Sequence, residues 1–305
     1  MFFYISPAKY PFWVRKSSIM RPTRHYSQEN KLKTTESILY KTSREFINYM
    51  EIKNIHTANF LPFVTHHFPQ GATNDFYKQQ LVQSYRQIPF LEDVIVGLID
   101  HTRHQAFYLS DNFERITGIK PRDFFGWKSM FLFRLMSPTH YSYAYRTIQE
   151  GAKFFDATPL EKRTQIRRFA AGMKFYNGDR KIRRIFSKSQ SIILGKQGQL
   201  NISAFYIYDV SHLIKGSNYW IRHAAPDQTS CFVKQKGKQH FDDLLSPRET
   251  EIVRLLADHR TSNEIADQLF LAAGTVEKHR KNMLKRTGAV TSTALVHLCK
   301  MAEIV

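Results

Sequence analysis

Two helix-start signals lying close together do most to constrain this chain. Ser246 with Glu249, and Thr261 with Glu264, each set a hydroxyl at a helix N-cap and a carboxylate three positions on, so that side chain and backbone satisfy each other's free amides. Pro247 fits the first helical position, where its missing N–H costs nothing. Both helices must be short, because Asp258-His259-Arg260 breaks the first. Ile252, Leu255 and Leu256 share one face of the first helix; Ile265, Ala266 and Leu269 share one face of the second. Small Ala266 lets a neighbouring helix approach. After a turn at Phe270–Ala273, a third helix puts Val276 and Met283 on its buried side and Lys278, Lys281 and Lys285 in an outward stripe. A fourth helix starts near Ser292 and carries Leu295 and Leu298. From residue 241 onward the period is helical throughout, so this segment is an all-α bundle.

The residues that carry these signals resemble a known family. Leu245-Ser246-Pro247-Arg248-Glu249, Ser262-Asn263-Glu264-Ile265-Ala266 and Thr275-Val276-Glu277-Lys278-His279-Arg280-Lys281-Asn282, with Lys285 and Gly288, are similar to the LuxR/FixJ-type DNA-binding domain. That resemblance implies a helix-turn-helix whose third helix enters the major groove of double-stranded DNA. The chain is then expected to be a sequence-specific transcription regulator that works with RNA polymerase. A homodimer is expected, since one short recognition helix gives limited affinity. By position, Glu277, Lys278 and Lys281 face bases, Glu277 accepting from cytosine. Thr275, Arg280, Asn282 and Lys285 are placed for phosphates. Two residues depart from the family pattern. Ala272 stands where the family has Ser, removing a cap worth about 1 kcal/mol, and Thr287 stands where it favours Leu.

Charge does not explain the reading of DNA. The net charge is +19, yet 36 of the 45 basic and 17 of the 26 acidic residues precede residue 241. The C-terminal segment is therefore neutral, and its third helix depends on asymmetry: five basic residues over 277–286 against Glu277 alone. Binding should still weaken steeply with salt. A second basic cluster, eleven residues over 162–196 against Asp179, surrounds a hairpin with Arg180, Lys181, Arg183 and Arg184. It is either a strand edge protected by charge or a flanking contact with phosphates.

The middle of the chain has a different period. Val94–Ile99 and Phe107–Leu109 read as strands, and Ser110-Asp111-Asn112 opens a helical stretch ending at Thr117-Gly118. Helical pattern runs from Tyr141 to about Phe155. A meander follows, through Phe169–Tyr176, the hairpin signal Asn177-Gly178, a strand around Ile182–Lys188, a turn at Gly195–Gly198 and a last strand Ile202–Tyr208. Asp111-Asn112-Phe113-Glu114-Arg115-Ile116-Thr117-Gly118 with Pro121, and the closing Asp209-Val210-Ser211, resemble the PAS sensory domain. The resemblance implies a small molecule or cofactor on the sheet, or pairing between domains. The cofactor is open: the domain has no Cys for a flavin adduct, and His101, His104, His140 and His212 are haem ligands only in principle. Phe113, Phe124, Phe125 and Trp127 could line a pocket or pack a core.

The expected fold class is α+β: a PAS-like sensor followed by a four-helix LuxR-type helix-turn-helix. Residues 1–28, aromatic and free of acid, read as a loose tail, with Met20 an alternative start. Residues 29–85 read as a helical segment with Phe46, Tyr49 and Met50 as an apolar stripe, 86–216 as the PAS-like domain, 217–240 as a polar linker and 241–305 as the DNA-binding domain. No apolar run long enough to span a membrane occurs, and Cys231 and Cys299 form neither a disulfide framework nor a metal-ligand spacing, which fits a reducing cytoplasm. No Gly-rich phosphate loop, His-Glu-x-x-His pair or nucleophile elbow marks an enzyme. The alternative is a PAS-like signalling protein, or an enzyme built on the middle domain, whose helical end does not bind DNA.

Overall fold

A computed structural model describes residues 75–87, 93–103, 105–125, 136, 140–176, 182–235, 238–240 and 243–305, all within one compact unit, 39–305. The expected tail, the stripe of Phe46, Tyr49 and Met50, His104, Trp127 and the Asn177-Gly178 turn lie outside the described residues.

Helix α1 (Asp75–Gln87) precedes strands β1 (Val94–Asp100) and β2 (Gln105–Leu109). Three helices follow: α2 (Phe113–Thr117), α3 (Pro121–Phe125) and α4 (Tyr141–Ala157). Then come β3 (Arg167–Tyr176), β4 (Ile182–Leu194), β5 (Leu200–Asp209), β6 (Tyr219–Ala225), β7 (Gln228–Gln235) and β8 (Lys238–His240). The chain ends in α5 (Pro247–Ala257), α6 (Ser262–Leu269), α7 (Ala273–Thr287) and α8 (Ser292–Met301).

All eight strands form one sheet in the order β2-β1-β5-β4-β3-β6-β7-β8, every pairing antiparallel. The expectation for 217–240 is corrected here: the segment holds β6, β7 and β8 rather than a linker, and Ile202–Tyr208 does not end the sheet. Pro226, one of the residues that suggests a linker, begins Pro226-Asp227, the two-residue turn of the β6–β7 hairpin. Between such ends, Tyr219, Trp220, Ile221, Cys231, Phe232 and Val233 are buried. Both sheet faces are covered there, so the strands carry apolar residues in runs rather than in alternation.

Alternation along β3 and β6 assigns the faces. Phe169, Ala171 and Trp220, with Phe186 of β4, join Leu245, Ile252, Leu298 and other residues of the C-terminal helices in a single hydrophobic core. The opposite face lies under α4, where Phe154 stacks on His223 and His140 meets Tyr219 edge-on. A backbone bridge also joins sheet and helices, since Lys215 N donates to Gly288 O and Val290 N to Leu213 O, both at 3.0 Å. Gly288 can cap α7 there because its φ of 78° is one that a side chain resists. Glu303 completes the join, pairing with Arg167 and with Lys188 at 2.6 Å. Burial works against its charge, but the two cations hold its carboxyl below the usual range.

At the other end of the sheet, Asp100 is fully buried and meets Lys78 of α1 at 2.5 Å. Burial opposes its charge, yet Lys78, Thr102 and the Arg103 amide hold it below the usual carboxylate range. Among the described residues, no helix is long and apolar enough to cross a membrane.

Candidate nucleic-acid interface

Both expected capping boxes form. Ser246 Oγ accepts from Glu249 N at 3.2 Å while Glu249 Oε2 accepts from Ser246 N at 2.9 Å. Thr261 and Glu264 repeat the exchange at 3.3 and 2.7 Å. The Thr261 amide and hydroxyl hold the Glu264 carboxyl below its ordinary value. Val276 and Met283 are fully buried on the inner side of α7. Ala272 is its N-cap, with extended backbone and no side-chain bond, as the sequence implies. Thr287 is also buried, but its hydroxyl donates to Met283 O at 2.8 Å, so the polar group is satisfied within the helix.

The outer side of α7 divides into two groups. Lys278, Lys281 and Asn282 are exposed and make no ion pair or hydrogen bond to other described side chains. Lys285 is exposed on the same stripe. Arg280 and Glu277 are instead tied to each other and to neighbouring helices, Arg280 half-buried and Glu277 exposed. Arg280 donates to Glu277 at 2.7 Å and to Ser292 Oγ at 2.9 Å, and it also contacts Ser262 Oγ. Ser262 in turn donates to Glu277. This network ties the starts of α6 and α8 to α7, and its signal in the sequence is the i,i+3 spacing of Glu277 and Arg280. Thr275 lies half-buried in the first turn, its amide already bonded to Ala272 O at 2.9 Å.

Arg286 also turns inward. It donates to Leu244 O at 3.0 Å and to buried Glu249 at 2.6 Å, clasping the first capping box. Sequence reasoning counts it with the outward charge, since nothing local marks a partner 37 residues away. Two of the five basic residues over 277–286 are thus engaged within the chain, and the other three form the exposed lysine stripe. Phe270, in the turn before α7, is 95% exposed with a left-handed φ of 53°.

Other candidate groups are scattered. Arg183 pairs with Asp209 at 3.3 Å and Arg184 donates to Gly216 O, so both guanidiniums are engaged within the chain. His101 bonds Ser203 Oγ at 2.7 Å, the Nδ1 of buried His140 lies 3.4 Å from the Lys174 amide, and His212 is exposed. Among the described residues, no three His, Cys, Asp or Glu side chains come together to hold a metal ion.

Residues 243–299 match the family of bacterial regulatory proteins, luxR family. The chain is 41% identical over 54 residues to the transcriptional regulatory protein MctR of Rhizobium johnstonii, 18% of this chain and 25% of that one. It therefore spans only a quarter of that relative's length. It is 39% identical over 62 residues to the spore germination protein GerE of Bacillus subtilis, 20% of this chain and 84% of that one. It also has a likeness to the Vibrio cholerae VqmA dimer, a LuxR-type receptor solved in the absence of target DNA. That likeness covers 74% of this chain and 88% of that one, at 16% identity and a TM-score of 0.30.

Proposed function

This chain belongs to the LuxR family of bacterial regulatory proteins, and on that premise we propose that it is a sequence-specific DNA-binding transcription regulator. The observation that carries the reading is the exposed lysine stripe of α7, set on a helix fixed from three sides by buried Val276 and Met283, the Arg280 network and the Arg286 clasp. A rigid helix with an outward basic stripe is what major-groove reading requires. Lys278 and Lys281 read bases. Asn282 and Lys285 hold phosphates, joined by Thr275 at the helix start. Glu277 and Arg280 serve the site by fixing the helix in place, and a base contact by Glu277 would first have to break its pair with Arg280.

The sheet domain is a PAS-like sensor, supported by the order of two strands, helices and three strands over β1–β5. Strands β6–β8 extend that core toward the C-terminal helices. The regulator acts in the cytoplasm as a homodimer on paired half-sites and communicates with RNA polymerase.

The test is Lys278→Ala combined with Lys281→Ala, assayed on DNA sites selected from a random pool by the wild-type protein. Specific binding is lost against competitor DNA while the melting temperature stays put, because exposed substitutions cost within about 0.5 kcal/mol. Retained specificity would assign reading to another face.

A further inference from the structure

Arg168 of β3 stands directly opposite Ser189 of β4 and His223 of β6. Opposed residues of antiparallel strands share a face. Guanidinium, hydroxyl and imidazole therefore form a row across three central strands, on the face that α4 covers. Ser187 lies on the same face, opposite Ala170. This row lies beside the apolar residues Ala170 and Ile221 of the same face.

The two ends of the row differ. His223 is packed tight: Phe154 stacks on its ring at 5.5 Å, and a Cβ on Gly151 would lie 3.0 Å from its Nε2. Burial, and then the charge of Arg168, push the imidazole down to about 3, so it is neutral at physiological pH. Arg168 is deep enough that burial lowers its guanidinium to about 10. Yet it retains accessible surface, as do Ser187 and Ser189, and none of the three has a hydrogen-bond or ion-pair partner among the described residues. Arg168 is thus a half-buried cation with no partner of its own, beside a tightly packed neutral histidine. Arginine is almost never buried without a partner, because an uncompensated buried charge is costly.

We propose that this face of the sheet binds a small organic monoanion, a carboxylate or its like, held by Arg168 with hydrogen bonds from Ser187 and Ser189. The planar guanidinium matches a carboxylate in bidentate fashion, while Ala170, Ile221 and Phe154 provide an apolar wall for the rest of the molecule. One positive charge, with the adjacent histidine neutral, selects a single negative one. This proposal rests on reading the sheet domain as a sensor, and it names the class of signal.

Benzoate and benzamide, alike in shape and different in charge, are the probes, titrated calorimetrically into the full-length protein at constant ionic strength. Benzoate binds at least tenfold more tightly than benzamide. Arg168→Met abolishes that preference and Arg168→Lys keeps part of it. Arg168→Met also melts higher than wild type without anion, since it removes an unpaired buried charge; a residue kept for stability would give the reverse. Should Arg168→Met fail to fold, Ser189→Ala carries the test, with benzoate affinity lowered several-fold and benzamide unaffected. Equal affinities for the two probes, or benzoate affinity intact in Arg168→Met or in Ser189→Ala, overturn the anion site and leave the sensor reading standing. If neither probe binds, native mass spectrometry of the purified protein decides. A co-purified acid that is absent from Arg168→Met or Ser189→Ala supports the site, and a neutral molecule or an acid retained by the variant overturns it. No bound molecule at all overturns the anion site and leaves pairing between domains as the role of the sheet.

Discussion

Ala272→Ser should supply the N-cap hydroxyl that α7 lacks. The backbone is ready for it: Ala272 has φ −75° and ψ 142°, beside −67° and 162° at Ser246 and −74° and 164° at Thr261. At those two positions the hydroxyl accepts from the amide three residues on at 3.2 and 3.3 Å. A serine at 272 would reach the Thr275 amide in the same way. An N-cap hydroxyl in place of Ala is worth about 0.5–2 kcal/mol. The Thr275 amide already has a partner in Ala272 O, so the gain falls at the lower end, about 0.5–1 kcal/mol. For a cooperative unit of this size that raises the melting temperature by about 1–4 °C. Gly274 gives an independent check, because a Cβ there meets nothing within 4 Å. Gly274→Ala should add about 0.5–1 kcal/mol by removing backbone entropy. The assay is calorimetric melting of the full chain, with Thr261→Ala as the mirror control that loses a cap already formed. If Thr261→Ala lowers the transition while Ala272→Ser and Gly274→Ala leave it unmoved, the first turn of α7 frays before the protein melts, and the reasoning fails.

Three further outcomes concern buried and strained groups. Breaking the Asp100–Lys78 pair by Lys78→Met alone should cost about 3 kcal/mol, because buried Asp100 loses its closest cation and keeps only Thr102 and Arg103, whereas adding Asp100→Leu should recover much of it; chemical denaturation of all three proteins measures this. Since the Asp100 carboxyl lies below its unfolded value, its stabilisation is present above the usual carboxylate range and is lost as pH falls through the lower folded value, so an acid titration of wild type should show an unfolding limb that the double variant lacks. Phe270→Gly should raise the melting temperature, since glycine relieves about 1 kcal/mol of left-handed strain and the ring, 95% exposed, gives up almost no packing; a lower value would mean that the ring is covered in solution.

What the sequence reveals here is what it writes locally. The capping boxes at Ser246 and Thr261, the buried pair Val276 and Met283 and the bare Ala272 cap each depend on residues a few positions apart, and each is found as read. The inward turn of Arg286 depends on Glu249, far away in the chain, and its spacing to the lysines invites the wrong face. Strands β6 and β7 escape for a related reason. Trp220 and Val233 are buried by helices at the far end of the chain, so neither face of these strands alternates with water and the period-two signal is missing. Arg168 is legible only as one more basic residue in a basic stretch; its isolation is a property of the layers around it.

The common core of sheet and C-terminal helices bears on how such a protein can be altered. A reader that met its sensor only through a linker could be exchanged between chains like a cassette. Here Phe169, Phe186 and Trp220 are matched to Leu245, Ile252 and Leu298, and Glu303 fits a particular pair of cations on the sheet. A foreign helix-turn-helix grafted after residue 242 would bring the right helices and the wrong underside. On the proposed reading, specificity for DNA would be open to change by single residues on the outward stripe of α7, whereas replacement of the whole helical segment would require redesign of the sheet as well.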